Sequence, residues 1–295
     1  MARIKNIKAT TSETFADRYR HKISVYLEGD GDINMYGNYW FNDYLDRIEF
    51  KVPEKAGGCS MVIAKVWEER KIGVQAFGIV DRDSVQSKRL WDLVWETNDD
   101  AFSKAYPFGD YVRVTLYWEL ENYLIEPDAI ETHLALHQQG RICRRRDEVI
   151  RDLLDHINAL IPHAAVNAAL HYQGSGDCGD GYTEAKPRED VETKIEYDHR
   201  TRLREDGWER YRDYINKVET FDYPDSSLEK RLTGLLRRIH GKALLARIKK
   251  AANIRDDITY HLGAAIKRSG AIPSELTGYI DEFLSISYVG QESGP

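Results

Sequence analysis

Three short acidic segments hold the residues whose types and spacing could do chemistry: Leu27-Glu28-Gly29-Asp30-Gly31-Asp32, Val80-Asp81-Arg82-Asp83-Ser84 and Trp118-Glu119-Leu120-Glu121-Asn122. Carboxylates gathered within a few ångström repel one another unless they are protonated or share a cation. A donor set made of oxygens suits Mg2+ or Mn2+, and the sequence has no His/Cys cluster spaced for a softer metal. A cation so held stabilises charge developing at a phosphorus centre and makes bound water more acidic, which is the chemistry of phosphodiester hydrolysis. A lone Gly/Asp run after a strand is an ordinary turn. Recurrence of the pattern after successive strands is what points to a metal site.

Glu28 and Asp81 are 53 positions apart. They converge only if both end strands of one open parallel sheet, where ligands bind outside the carboxyl ends of the strands and the strand order reverses. The patterning supplies such strands. Lys22–Leu27 is a β-branched and aromatic run closed by a Gly/Asp turn, Arg47–Val52 alternates, Gly73–Val80 is a largely apolar run suited to a central strand, and Tyr111–Tyr117 is again strand-like. Between them, Ile33–Leu45, Ser60–Lys71 and Ser84–Trp95 predict helices. Strands alternating with helices predict an α/β layer fold around a parallel sheet.

After Pro127 the texture becomes helical. Asp128–His137, Asp147–Leu160, Pro162–Tyr172, Ser227–Ile239, Ala243–Ala252, Ile258–Arg268 and Pro273–Ser285 read as helices, and Pro127, Pro162 and Pro273 stand at plausible N-termini. Gly174–Gly181 is a turn-rich loop, and the highly charged Glu184–Arg212 predicts a helix projecting from the body. The final Tyr288–Pro295 should fray.

The 295 residues carry a net charge of −7, which gives no overall reason to expect nucleic-acid binding, but the charge is unevenly placed. Between Glu229 and Lys250, eight Lys or Arg face a single acid. A second cluster holds Arg141, Arg144, Arg145, Arg146 and Arg151, and a third runs from Arg200 to Arg212. Nearby charges dominate at physiological ionic strength, so Arg144, Arg145, Arg237, Arg238 and Lys249 are candidate nucleic-acid contacts. Trp208 and Tyr211 among arginines could stack on unpaired bases or pack the segment onto the body. Cys59, Cys143 and Cys178 lie far apart, which argues against a disulfide scaffold and fits a reducing compartment. The first fifteen residues lack an apolar core, so no secretory signal is expected, and no apolar run approaches the roughly 18 residues of a membrane span. The expected location is the cytoplasm.

A strand ending in Glu-Gly, then helix, strand, helix and a strand ending in Asp-x-Asp resembles the Toprim domain shared by topoisomerases, bacterial primases and OLD-family nucleases. The sequence VYLEGDGD, the pair Gly57-Gly58, GIVDRDS, WELENYLIEP and the late His240-Gly241-Lys242 are similar to the Toprim nucleases found beside ABC-type ATPases in bacterial anti-phage operons, the effectors of PARIS-type systems. The resemblance covers roughly residues 20–130 and 235–250, and 140–225 matches no named motif. It implies a Rossmann-like Toprim sheet with helices on both faces at residues 1–135, a charged helical insertion at 136–226, and a helical region at 227–295 that completes the domain. It further implies that Glu28 is the catalytic glutamate, that Asp81 and Asp83 bind Mg2+ or Mn2+, that Asp32 and Glu121 are accessory carboxylates, and that Lys242 reaches the phosphate.

The activity implied is a metal-dependent endonuclease released by an ATPase partner, with a structured RNA such as tRNA as first substrate and DNA as second. A non-catalytic docking module of an ATPase complex and a primase-like nucleotidyl transferase are the alternatives. The apolar stripes Leu228, Leu232, Leu235, Leu236 and Ile239, then Leu244, Leu245 and Ile248, predict either packing onto the sheet or a homodimer as the active form.

Overall fold

In a computed structural model of the chain, the described residues are 22–54, 57–137, 143–179, 181–184 and 186–292. The strands β1 (Ile23–Tyr26), β2 (Ile48–Lys51), β3 (Ala76–Val80) and β4 (Val112–Val114) form one sheet in the order β2-β1-β3-β4. Every pairing is parallel, with Val25 opposite both Phe50 and Phe77, and Ile79 opposite Arg113. The chain leaves β1 toward β2 on one side, then crosses to β3 on the other. The strand order therefore reverses between β1 and β3.

Alternation of side chains across the strands feeds two apolar cores. Ile23, Val25, Phe77 and Ile79 face one, while Tyr26, Ala76, Val80, Val112 and Val114 face the other. Helix α1 (Asp30–Ile33) runs into a π-helical stretch at Asn34–Trp40, and α2 (Cys59–Lys71) lays Val62 and Val66 on the second face. Gly78 permits that approach: a Cβ there would stand 2.8 Å from Val62 Cγ1. Three short helices follow, α3 (Asp83–Ser87), α4 (Trp91–Val94) and α5 (Asp99–Ser103).

The helical part comprises α6 (Pro127–His137), α7 (Arg146–Asn158), α8 (Ile161–Gln173), α9 (Arg188–His199), α10 (Glu205–Glu219), α11 (Leu228–Leu236), α12 (Gly241–Ala251), α13 (Thr259–Ser269) and α14 (Ser274–Glu292). Its last helix covers the first sheet face. Phe283 stacks on Phe77 with ring centroids 4.4 Å apart, and Glu282 forms two hydrogen bonds with Arg113. One continuous apolar cluster runs from Ile23 to Leu284 through α8 and α10, so the insertion shares its core with the sheet. Among the described residues, no helix is long and apolar enough to cross a membrane.

Several expectations are corrected. The helix expected over Ser84–Trp95 is broken, because Arg89 takes a positive φ of 57° and Leu90 N–H closes the turn on Val85 O. The helix expected over Ile33–Leu45 is π-helical to Trp40, whose indole donates to Gly263 O on α13. The projecting arm expected over Glu184–Arg212 instead folds onto α8 as α9 and α10. Val191, Ile195, Tyr211, Tyr214 and Val218 recur at helical spacing and are buried, whereas the charges that dominate the composition occupy the other faces. Of the stripes on α11 and α12, Leu232, Leu235, Leu236, Ile239, Leu244, Leu245 and Ile248 are buried in the core of the monomer, as the packing alternative has it, and Leu228 is partly buried. Helix α14 extends to Glu292, into the Tyr288–Pro295 segment. The leader expectation, on residues 1–15, lies outside the described residues, as do Arg141 and residues 293–295.

Candidate active site

Glu28 leaves β1 and Asp81 leaves β3, on the two sides of the point where the strand order reverses. Glu28 Oε1 accepts the Asp81 backbone N–H at 2.9 Å, which ties the two strand ends together. Gly29 opens α1, and its N–H donates to Asp32 Oδ2 at 2.9 Å, drawing a third carboxylate back over the turn. Asp83 follows on α3, its N–H donating to Trp118 O at 3.2 Å, so the segment after β4 is fastened to the same end of the sheet. Glu28, Asp32, Asp81 and Asp83 are partly buried.

Glycine 57 makes this packing possible. Its neighbour Gly58 donates its N–H to Glu28 O at 3.0 Å, and a Cβ on Gly57 would stand 1.9 Å from that carbonyl oxygen. Gly57→Ala should therefore push the Glu28 backbone off its position. The expected cost is about 1–3 kcal/mol of stability, read by denaturant unfolding, together with loss of whatever activity depends on Glu28. Wild-type stability and activity in that variant would show that the approach is not tight in solution.

The electrostatics separate the acids into two groups. Burial raises the proton affinity of all four carboxylates, placing Glu28 at about 7 and lifting Asp32, Asp81 and Asp83 above the usual range. Asp81 and Asp83 are raised further by Glu28 and by other neighbouring acids. Glu119 behaves oppositely. Burial would raise it, but His240 and Lys242 outweigh burial and hold it at about 2. Lys242 is disfavoured by burial yet raised above its ordinary value by Glu119, Glu121, Asp81 and Asp83, so its ammonium stays charged.

These donors fit a hard divalent cation. Among the described residues, no three His, Cys, Asp or Glu side chains form a finished cage for a metal ion. Mg2+ does not need one, since one or two carboxylates, waters and substrate phosphate oxygens complete its shell. Asp81 and Asp83, with Glu28 and Asp32 beside them, are the carboxylates that would hold it. Glu121 faces a different groove, lined also by Lys242, Lys249, Lys250 and Arg255.

A cleft of about 360 Å³ opens beside the acids, lined by Asp83, Gln86, Glu119, His240 and Lys242 on one side and by α8 and the glycine-rich loop on the other. Asn167 on α8 bridges the two. Its Nδ2 meets His240 Nε2 at 3.0 Å, its Oδ1 accepts the Cys178 N–H at 3.0 Å, and His171 meets Asp177 at 2.5 Å. The sequence places Glu119 in the third acidic segment and His240 in the late motif without a role for either, and gives none to Asn167 or this loop. His240 was visible as a neighbour of Lys242, whereas Asn167 carries no local signal because only the tertiary fold brings α8 to the strand ends.

The candidate nucleic-acid contacts fare unevenly. Arg238 is fully buried, its guanidinium 4.0 Å from the Trp118 ring centroid and bonded to Gln86 at 2.8 Å; it is a core residue and not a surface contact. Arg237 is mostly buried and paired with Asp99 at 2.5 Å. Arg144 pairs with Glu131 and Asp152, and Arg145, though exposed, pairs with Glu148. Their charges are compensated by acids in the fold, which a count of basic residues along the chain does not reveal. Lys249 is partly exposed in the groove beside Lys242. Tyr211 is buried against the body, and the half-buried Trp208 packs edge-on against it. No family model, curated protein or solved structure matches the chain.

Proposed function

We propose that this chain is a Mg2+- or Mn2+-dependent endonuclease of the Toprim type. One observation carries the reading: Glu28 and Asp81 are joined at 2.9 Å across the reversal point of an all-parallel sheet, with Asp83 and Lys242 lining the cleft beside them. The metal, when bound, polarises the phosphate and acidifies attacking water. Glu28, held near 7 by burial, is poised to accept a proton from that water. Lys242, kept charged by the surrounding acids, neutralises the phosphate oxygens as negative charge builds. Lys249 and Arg255 extend the positive side of the groove along which a phosphate backbone can lie, while Lys250 beside them is paired with Glu184.

The resemblance in sequence extends the proposal to a role. The nuclease is a toxic effector of anti-phage defence, held silent by an ABC-type ATPase partner in the cytoplasm and released by infection, with structured RNA such as tRNA preferred over DNA. The test is to incubate the pure protein with total RNA and with plasmid DNA, in Mg2+ and in chelator. Metal-dependent cleavage of either is the expected result, and the preferred substrate is read directly. No cleavage of either in Mg2+ or Mn2+, alone or with the ATPase, would overturn the reading.

A further inference from the structure

The segment after β4 and the turn before α12 are clasped together. Asn122 Oδ1 accepts the Glu119 N–H at 2.9 Å, and Asn122 Nδ2 donates to Ile239 O at 2.9 Å. Glu119 Oε2 accepts the Lys242 backbone N–H at 3.0 Å, and its Oε1 lies 3.5 Å from His240 Nδ1. Both residues are buried. The turn also fits only with glycine at 241, because a Cβ there would stand 2.5 Å from Asn122 Oδ1 and 2.7 Å from Asn122 N. Two bonds of the clasp end on the turn backbone, at Ile239 O and Lys242 N–H, and neither uses the lysine side chain.

We infer that Glu119 and Asn122 are positioning residues that fix the Gly241-Lys242 turn and so aim the Lys242 ammonium at the acid pocket. Glu119 thus differs from the neighbouring carboxylates: one oxygen accepts the Lys242 N–H and the other faces His240 Nδ1. This rests on the nuclease reading, in which Lys242 meets the phosphate. The glutamate and asparagine of the WELENYL segment and the glycine and lysine of the late HGK segment are parts of one device, although more than a hundred residues separate them. The precision is worth having, since misplacing a catalytic group by about 1 Å can lower a rate by about 10²-fold.

The variants Asn122→Ala, Glu119→Ala and Glu119→Gln separate positioning from simple charge. Glutamine keeps an acceptor for the Lys242 N–H but loses the charge, whereas Asn122→Ala keeps the charge and loses the clasp. The expected result is a kcat lowered by about 100-fold in Asn122→Ala and Glu119→Ala, substantially rescued in Glu119→Gln, with KM and Mn2+ affinity near wild type. A Glu119→Gln variant as impaired as Glu119→Ala, beside an unimpaired Asn122→Ala, would overturn the inference in favour of a charge effect. If Asn122→Ala does not fold, the Glu119 pair alone decides. A second readout needs no substrate: acetylation of Lys242 by acetic anhydride, followed by mass spectrometry, should be several-fold faster in Asn122→Ala than in wild type, with other lysines unchanged. If wild-type protein cuts nothing, the nuclease reading fails while the acetylation still judges the clasp, and an unchanged Lys242 rate would refute it.

Discussion

Glu28→Gln is expected to reduce metal-dependent cleavage by about 10³-fold, within the range for loss of a general acid or base, without loss of fold. The structure explains why glutamine is the informative replacement. Glu28 Oε1 accepts the Asp81 N–H, and glutamine keeps an oxygen at that position while removing the negative charge and the ability to take a proton. Alanine would instead leave the Asp81 N–H without its partner, a defect worth about 1–3 kcal/mol for a buried donor. Activity and stability would then fall together and could not be separated. Because burial lifts Glu28 to about 7, its ionised form is already disfavoured in the folded protein. The neutral glutamine should therefore match or slightly exceed wild-type stability above neutral pH. Cleavage assays and thermal melts on the same preparations check both halves. Wild-type turnover in Glu28→Gln would remove Glu28 from the mechanism.

The second large effect is on stability. Metal-free protein should be most stable in mild acid, lose stability as the pH rises through neutrality, and regain it on addition of Mg2+. The sign follows from the direction of the shifts. Glu28 and Glu275 are raised to about 7, and Asp32, Asp81 and Asp83 are raised as well, so the folded state binds more protons than the unfolded chain across this window. Their contribution is fully present below the ordinary carboxylate range and is lost as the pH climbs through the folded values. Glu119, held at about 2, works the other way, and its contribution is lost only on strong acidification. A cation that binds the folded state alone restores stability by mass action. Melting in chelator at about pH 5 and about pH 8, with and without Mg2+, is the measurement, burial of the carboxylates being the main cause of the difference and their mutual repulsion the second. Asp81→Asn with Asp83→Asn should weaken the pH dependence, part of which Glu28 and Glu275 keep, and abolish the Mg2+ response. A wild-type melting temperature that ignores Mg2+ at about pH 8 would place the metal elsewhere or nowhere.

What the sequence disclosed was largely what strand and helix periodicity encode. The apolar run ending at Val80 and the alternating run at Ile48 became strands, and the parallel sheet followed from their alternation with helices. The three acidic strand ends were visible because turns of that composition leave no apolar reason for their residues. Compensation was not visible. Arg144 finds Glu131 and Asp152, Arg237 finds Asp99, and Arg238 sinks between aromatic rings, all through contacts between distant segments. The same blindness misread α9 and α10: their charged faces dominated the composition, while a narrow stripe of Val, Ile and Tyr decided where they pack. Glu119 stood in plain sight beside Glu121, but only the backbone of a turn far along the chain distinguishes their roles.

The order in which the pocket's parts occur along the chain bears on how the protein is made. Translation delivers β1, β3 and their acids first, then the insertion, and only afterwards the Gly241-Lys242 turn and the helix that stacks Phe283 on Phe77. A nascent chain that ends within the insertion therefore lacks both the lysine turn and the helix that covers the first sheet face. On the proposed function, a message cut short or a ribosome stalled within the insertion yields an inert fragment, so that a cell making a dangerous nuclease meets its cutting activity only once the later helices have docked.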